Sequence, residues 1–262
     1  MSQALAAVLK RDRAMVALGL AGVVIVSWAY LICMDWGMRH MDVGMQMVIM
    51  PAMEHWNAWD LVLVFLMWAV MMVAMMVPAA TPTILLFAEI NRRRHQRRGT
   101  FAATGQFLLG YLAVWTGFSL FATIAQWGLL TAALVSPMMA STSNVLAAGL
   151  LLMAGLFQLS RLKYACLAHC RSPIGFFATE WREGLWGAFK MGLKHGGYCL
   201  VCCWALMALL FALGVMNLLW VAGLSLLVLV EKIAPFERFV SRVAGLVFVG
   251  WAAWLVFGAM SR

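Results

Sequence analysis

Residues 194–204 read KHGGYCLVCCW, and nine of them, 195–203, hold His195, Cys199, Cys202 and Cys203. On an α-helix, at about 100° per residue, all four fall inside an arc of roughly 100° and share one face. They do not share a height: a rise of ~1.5 Å per residue separates His195 from Cys203 by about 12 Å along a straight helix. One metal ion could therefore be reached by Cys199, Cys202 and Cys203. His195 joins them only if the adjacent glycines Gly196 and Gly197 bend the helix. Soft thiolates beside an imidazole select Cu(I) or Zn(II) over hard cations. The competing account is that cysteine is a small apolar residue that packs well in buried helices. CxxCC behind a histidine is denser than packing requires.

A second thiol group precedes it. Cys166-Leu-Ala-His169-Cys170 places two cysteines at i and i+4, on one helix face, with His169 between them. That spacing suits one soft ion, although zinc motifs more often use two intervening residues. Elsewhere the soft ligands are thioethers. Met34, Met38, Met41 and Met45 recur at four, three and four, one stripe of a helix, with His40 and His55 close by. Thioether and imidazole groups bind Cu(I) and, unlike thiols, form no disulfides in an oxidising compartment. Met67, Met71 and Met75 make a further i, i+4, i+8 ladder, which can either pass a soft cation along or simply pack. There is no Ser–His–Asp set, no phosphate-binding glycine loop and no dinucleotide fingerprint, so neither hydrolysis nor an ATP-driven pump is indicated.

These groups need elements to hold them, and the composition says which. The chain has 262 residues, 65% hydrophobic and 11% charged, against about a quarter charged in soluble domains. Several apolar runs reach the ~20 residues that span a bilayer. The expected fold is all-α: a polytopic transmembrane helical bundle of about seven spans, forming one integral membrane domain over 1–262. The expected spans are about 14–34, 59–78, 103–132, 145–160, 197–215, 218–231 and 239–260. Pro78 and Pro82 should kink or break the second. Residues 174–194, alternating aromatics with charges, should form an amphipathic helix lying in the interface.

The net charge of +9 does not indicate nucleic acid, because the basic residues lie in short clusters between apolar runs. Those clusters, at 10–13, 92–98, 161–194 and 232–242, all fall on one side of the expected bundle. The positive-inside rule makes that side cytoplasmic, with the amino end inside and the carboxyl end outside. Both thiol groups then face the reducing compartment, and the Met/His loop faces the other.

Three stretches together resemble a known family. They are W-x2-M-x2-AMM-x-P over Trp68–Pro78, Q-x4-K-x2-CLxHCRSP over Gln158–Pro173, and G-x2-HGxYCxxCCWxLM over Gly192–Met207. The combination is similar to a bacterial family of metal-binding integral membrane proteins, members of which are identified as copper chaperones. They include the membrane partner that helps a tyrosinase acquire copper. The resemblance covers about residues 58–232 and implies metal binding with copper favoured over zinc. It also implies a multi-pass place in the inner membrane and the ligand set Cys166, His169, Cys170, His195, Cys199, Cys202 and Cys203. Met67, Met71, Met75, Met38, His40 and Met41 stand as secondary soft-metal contacts.

The expected function is a non-enzymatic, Cu(I)-binding membrane protein serving maturation of a copper enzyme, its partners being the lipid bilayer and an extracytoplasmic or membrane-bound acceptor. Two other readings compete. A structural or assembly subunit of a membrane complex would equally explain thirteen tryptophans. A thiol–disulfide protein would use Cys199 and Cys202 as its CxxC pair.

Overall fold

The structure is a computed structural model that describes residues 3–40, 57–95, 100–132 and 143–260. Ten helices succeed one another: α1 (Gln3–His40), α2 (Ala58–His95), α3 (Thr100–Thr131), α4 (Asn144–Gln158), α5 (Arg161–Arg171), α6 (Pro173–Glu180), α7 (Gly184–Ala208), α8 (Leu210–Leu213), α9 (Leu218–Ile233) and α10 (Glu237–Met260). There is no strand among the described residues.

The central helix is α2. It begins at a reciprocal cap: the Asn57 side chain accepts from the backbone of Trp59 (2.9 Å) and Asp60 (3.1 Å), and the Asp60 carboxylate accepts from Asn57 N at 3.0 Å. The helix then runs on through Pro78 and Pro82, so of the expected kink or break there is no break. Proline lacks an N–H, so Pro78 leaves the Ala74 carbonyl without its helical partner. The indole of Trp28 in α1 donates to that carbonyl at 3.2 Å. A neighbouring helix thus repairs what the proline removes. Its first turns leave Trp59, Leu61, Val62 and Leu66 exposed, but burial all round its middle, at Met71, Met72, Met75, Met76, Val77, Ala80 and Ile84, marks it as the core. By contrast α1 buries one stripe, Leu20, Ser27 and Leu31, and leaves Leu18, Ile25, Val26 and Ile32 exposed.

Glycine sets the closest approaches. A Cβ at Gly192 of α7 would lie 2.0 Å from the Phe107 carbonyl oxygen of α3, and one at Gly110 would lie 2.2 Å from that of Phe189. The two helices cross backbone to backbone, as small residues permit in apolar surroundings. Gly196, one turn after Gly192, continues the seam against Tyr111 and Val114. α7 is helical through Gly196–Gly197, the place where a bend would have to bring His195 to the cysteines, and Gly196 serves close packing.

Where α4 meets α5 the chain turns by 63°. Ser160 caps the new helix by accepting from Lys163 N at 3.2 Å. The turn carries Lys163 inward, fully buried, onto the Glu231 carboxylate of α9 at 2.7 and 2.8 Å. Gln158 of α4 and Ser241 of α10 each donate to the same carboxylate at 2.8 Å. One side chain of α9 therefore ties together α4, α5 and α10.

Five helical stretches are long and apolar enough to cross a membrane: Arg13–Gly37, Ala58–Arg94, Phe101–Thr131, Gly184–Leu213 and Glu237–Gly258. The bent pair α4–α5 makes a sixth if it counts as one span. Among the described residues seven is not confirmed: α9, expected as a span over 218–231, has only 16 residues, about 24 Å at 1.5 Å per residue. The apolar stretch that holds the cysteines begins at Gly184, whereas the fifth span is expected over 197–215. The expected interfacial helix over 174–194 is not one element: α6 ends at Glu180, residues 181–183 are non-helical, and the remainder forms the first turns of α7. Phe176 and Phe177 of α6 are buried rather than lying on the surface, Phe177 against Phe87 and Phe107 and Phe176 against Phe177 and His195.

Gly192→Ala should lower the melting temperature of the detergent-solubilised protein, by about 1–3 kcal/mol of overpacking. Gly197→Ala, where nothing lies within 4 Å of the added methyl, should instead raise stability by roughly 0.5–1 kcal/mol through helix propensity. Thermal unfolding followed by circular dichroism separates the two.

Candidate metal centre

The thiol cluster forms where α5, α7 and α9 meet behind α3. Cys199, Cys202 and Cys203 are all buried on α7, and Cys170 of α5 is buried beside them. Helical spacing turns the Sγ atoms of Cys202 and Cys203 onto one acceptor, the Cys199 carbonyl, at 3.1 and 2.8 Å. Cys170 and Cys202 are adjacent across the α5–α7 seam, and Cys202 is likewise adjacent to Cys199 and Cys203. The two cysteine groups, far apart in the chain, are thus one cluster in space. Cys166, one turn before Cys170 and half-buried, lies within electrostatic reach of Cys202.

Cys199 is the most connected of the thiols. Lys232 of α9 donates to its Sγ at 2.9 Å, and the Tyr111 hydroxyl of α3 lies 3.1 Å from it. That hydroxyl also reaches the Met76 carbonyl of α2 at 3.1 Å. A hydroxyl has one proton, so a self-consistent order exists for the thiol form: Lys232 donates to Cys199, Cys199 to Tyr111, and Tyr111 to Met76 O. Tyr111 links the thiols to the methionine-rich core, where Met67, Met71 and Met75 are at most 2% exposed. Ser225 of α9 caps the Met75 carbonyl at 3.5 Å.

The histidines occupy different settings. His195 is 2% exposed, boxed by the rings of Phe107, Tyr111 and Phe176 at 6.1, 5.9 and 5.6 Å between centroids. Its Nδ1 is buried without a hydrogen-bond partner, and the ring lies in the field of Lys232 and Cys202. His169 is exposed and stacks on Tyr198 at 4.6 Å, lining a cleft of about 300 Å³ with Ser172, Phe176 and Glu180. Its Nδ1 sits 2.9 Å from the Ala165 carbonyl. An acceptor there requires the proton on Nδ1 and leaves Nε2 free to ligate.

His40 is also exposed, its Nδ1 3.0 Å from the Trp36 carbonyl, remote in sequence from the thiols. Met41 and the Met38 side chain lie outside the described residues. Among the described residues, no group of three or more His, Cys, Asp and Glu side chains is arranged to hold a metal ion. Cys202 has Cys170, Cys199 and Cys203 each as a neighbour, and a soft monovalent ion that accepts two thiolates needs no more than one such pair.

Two residues of this centre are not evident from cysteine spacing. Lys232 reads as part of a charged link, and Tyr111 as one aromatic among many. The available signal for Lys232 is a cation closing a 16-residue apolar helix, since charge within such segments is costly and usually paired.

Membrane-length helices packed around a buried four-thiol cluster define the class: an all-α protein with several candidate spans and soft donors at its centre. Residues 65–255 match the family model described as PpoB2: Copper chaperone, and the chain belongs to that family. No curated protein and no solved structure matches it. The matched region contains the seven cysteine and histidine candidates together with Tyr111 and Lys232, and excludes Cys33, Met38, His40 and Met41.

Alkylation reports the arrangement directly. In the folded protein a maleimide should label Cys33, which is exposed, and Cys166, while Cys170, Cys199, Cys202 and Cys203 react only after denaturation. Peptide mass spectrometry reads each site.

Proposed function

We propose that this chain is a single integral membrane domain of the bacterial inner membrane that binds Cu(I) and delivers it for maturation of a copper enzyme. The observation that carries the reading is the meeting of Cys170 with Cys199, Cys202 and Cys203 in a chain of the copper-chaperone family. Thiolates prefer Cu(I) among biological cations. Structural zinc asks for four ligands in a tetrahedron, and among the described residues no group of three or more His, Cys, Asp and Glu side chains is arranged to hold a metal ion. The large apolar residues exposed on α1, α3 and α10 favour a bilayer as the surrounding medium.

On this reading the basic side is cytoplasmic, with the amino end inside and the carboxyl end outside. Cys166 and His169 receive the ion at the edge of α5, and the neighbouring thiols Cys170, Cys202 and Cys199 hold it two at a time. Transfer between neighbouring thiols proceeds by adding the next donor before releasing the last. Tyr111 marks the boundary with Met67, Met71 and Met75, which carry the ion on towards the loop with Met38, His40 and Met41 and an extracytoplasmic acceptor. The buried state of the CxxC pair disfavours the thiol–disulfide alternative, which needs a sulfur open to attack by a partner's thiolate.

Elemental analysis of anaerobically purified protein tests this. The parent should retain about one copper per chain against a moderate Cu(I) competitor, and Cys199→Ser/Cys202→Ser should lose it. Parent protein holding no more soft metal than an unrelated membrane protein would sink the proposal.

A further inference from the structure

The copper-handling reading leaves Lys232 unused. Its side chain is buried, its ammonium sits 2.9 Å from Cys199 Sγ, and Cys170, Cys202 and Tyr111 lie within its electrostatic reach. The acidic residue beside it in the chain does not neutralise it. The Glu231 carboxylate is turned to Lys163, Gln158 and Ser241, which already balance and saturate it. Among the described residues no other carboxylate forms a salt bridge with Lys232. A buried ammonium facing sulfur, a phenol and the His195 ring, and paired with no carboxylate among the described residues, is costly unless negative charge arrives beside it.

Charge arithmetic identifies what arrives. Two thiols that ligate a metal release two protons to water and contribute a formal charge of minus two. With Cu(I) the complex carries minus one, and the ammonium brings the sum to zero. With Zn(II) the complex is already neutral, and the ammonium leaves a net plus one where net charge is poorly screened. We propose that Lys232 is the specificity-determining residue of the thiol centre. Its fixed positive charge neutralises a two-thiolate complex of a monovalent soft cation and disfavours a divalent one. The proposal rests on the reading above and adds how the site distinguishes the two kinds of ion.

The test uses full-length protein, purified anaerobically in detergent and titrated with Ag(I) and Cd(II), redox-inert probes of the two charge classes, and with Cu(I) in competition. The readout is the ratio of monovalent to divalent affinity. Lys232→Met deletes the charge, Lys232→Gln deletes it but keeps a donor towards Cys199, and Lys232→Arg keeps a permanent charge. Both neutral variants should shift the ratio towards Cd(II) by about tenfold or more, and Lys232→Arg should preserve the parent ratio. A Lys232→Gln variant that keeps the parent ratio would show that the hydrogen bond matters and the charge does not, overturning the proposal. Should the variants not fold, the parent decides: uptake of Cd(II) at the thiols as readily as Ag(I) overturns it unaided. Parent protein that binds Cu(I) while the ratio is unmoved in Lys232→Met removes only the role of Lys232. Parent protein whose thiols bind neither class removes the copper reading itself.

Discussion

Glu231 and Lys232 are adjacent, opposite in charge, and both buried. Neighbours on a helix diverge by about 100°, so they cannot satisfy each other and must find partners in different directions. Glu231 finds Lys163, and with it Gln158 and Ser241. Lys232 finds Cys199. A buried ion pair adds little net stability over an apolar equivalent, but breaking one is severe. The effect here is on geometry. The pairing to Glu231 fixes how far the chain must turn between α4 and α5, and that turn brings Cys170 against Cys202. The thiol cluster is assembled by a carboxylate that is not part of it.

Inside the cluster, polar groups come in the proportion that an apolar interior can tolerate. The Cys199 carbonyl takes two thiols, Tyr111 bridges a thiol and a backbone carbonyl, and the Nδ1 of His195 is left open. An unpaired acceptor or donor in such a place is an expense that a fold rarely carries without use. Together with half-buried Cys166 and surface His169, the donors grade from solvent towards the centre, from imidazole to thiol, and end beside the methionines of α2.

Much of this was legible in the sequence where periodicity or spacing is a local matter. Helical class and the apolar stretches follow from composition, and the shared face of His195, Cys199, Cys202 and Cys203 follows from 100° per residue. What depends on a distant partner was not. Pro78 reads as a break because the sequence does not display that Trp28, 46 positions away in α1, will donate to Ala74 O at 3.2 Å. Lys163 and Lys232 read as topology markers because a cation's partner is 68 or 33 residues distant. The alternation in 174–194 suggests an interfacial helix, yet Phe177 is drawn inward by Phe87 and Phe107, and Phe176 by His195. Gly196–Gly197 suggests a bend, while the Gly192/Gly196 pair, the spacing that lets helices touch, was present to be read as a seam.

That seam has a mechanical consequence. Where Gly192 and Gly110 bring α3 and α7 into backbone contact, no layer of side chains remains to change rotamer and let one helix glide over the other. The thiols of α7 and the hydroxyl of α3 therefore belong to one stiff wall. The opposite wall is α5, an eleven-residue segment between the serine-capped turn at Ser160 and the proline start of α6. On the copper-handling reading, any opening that admits an ion would fall to this short segment, which is joined to α4 by the 63° turn after Gln158 and tied to α9 by the Lys163–Glu231 pair.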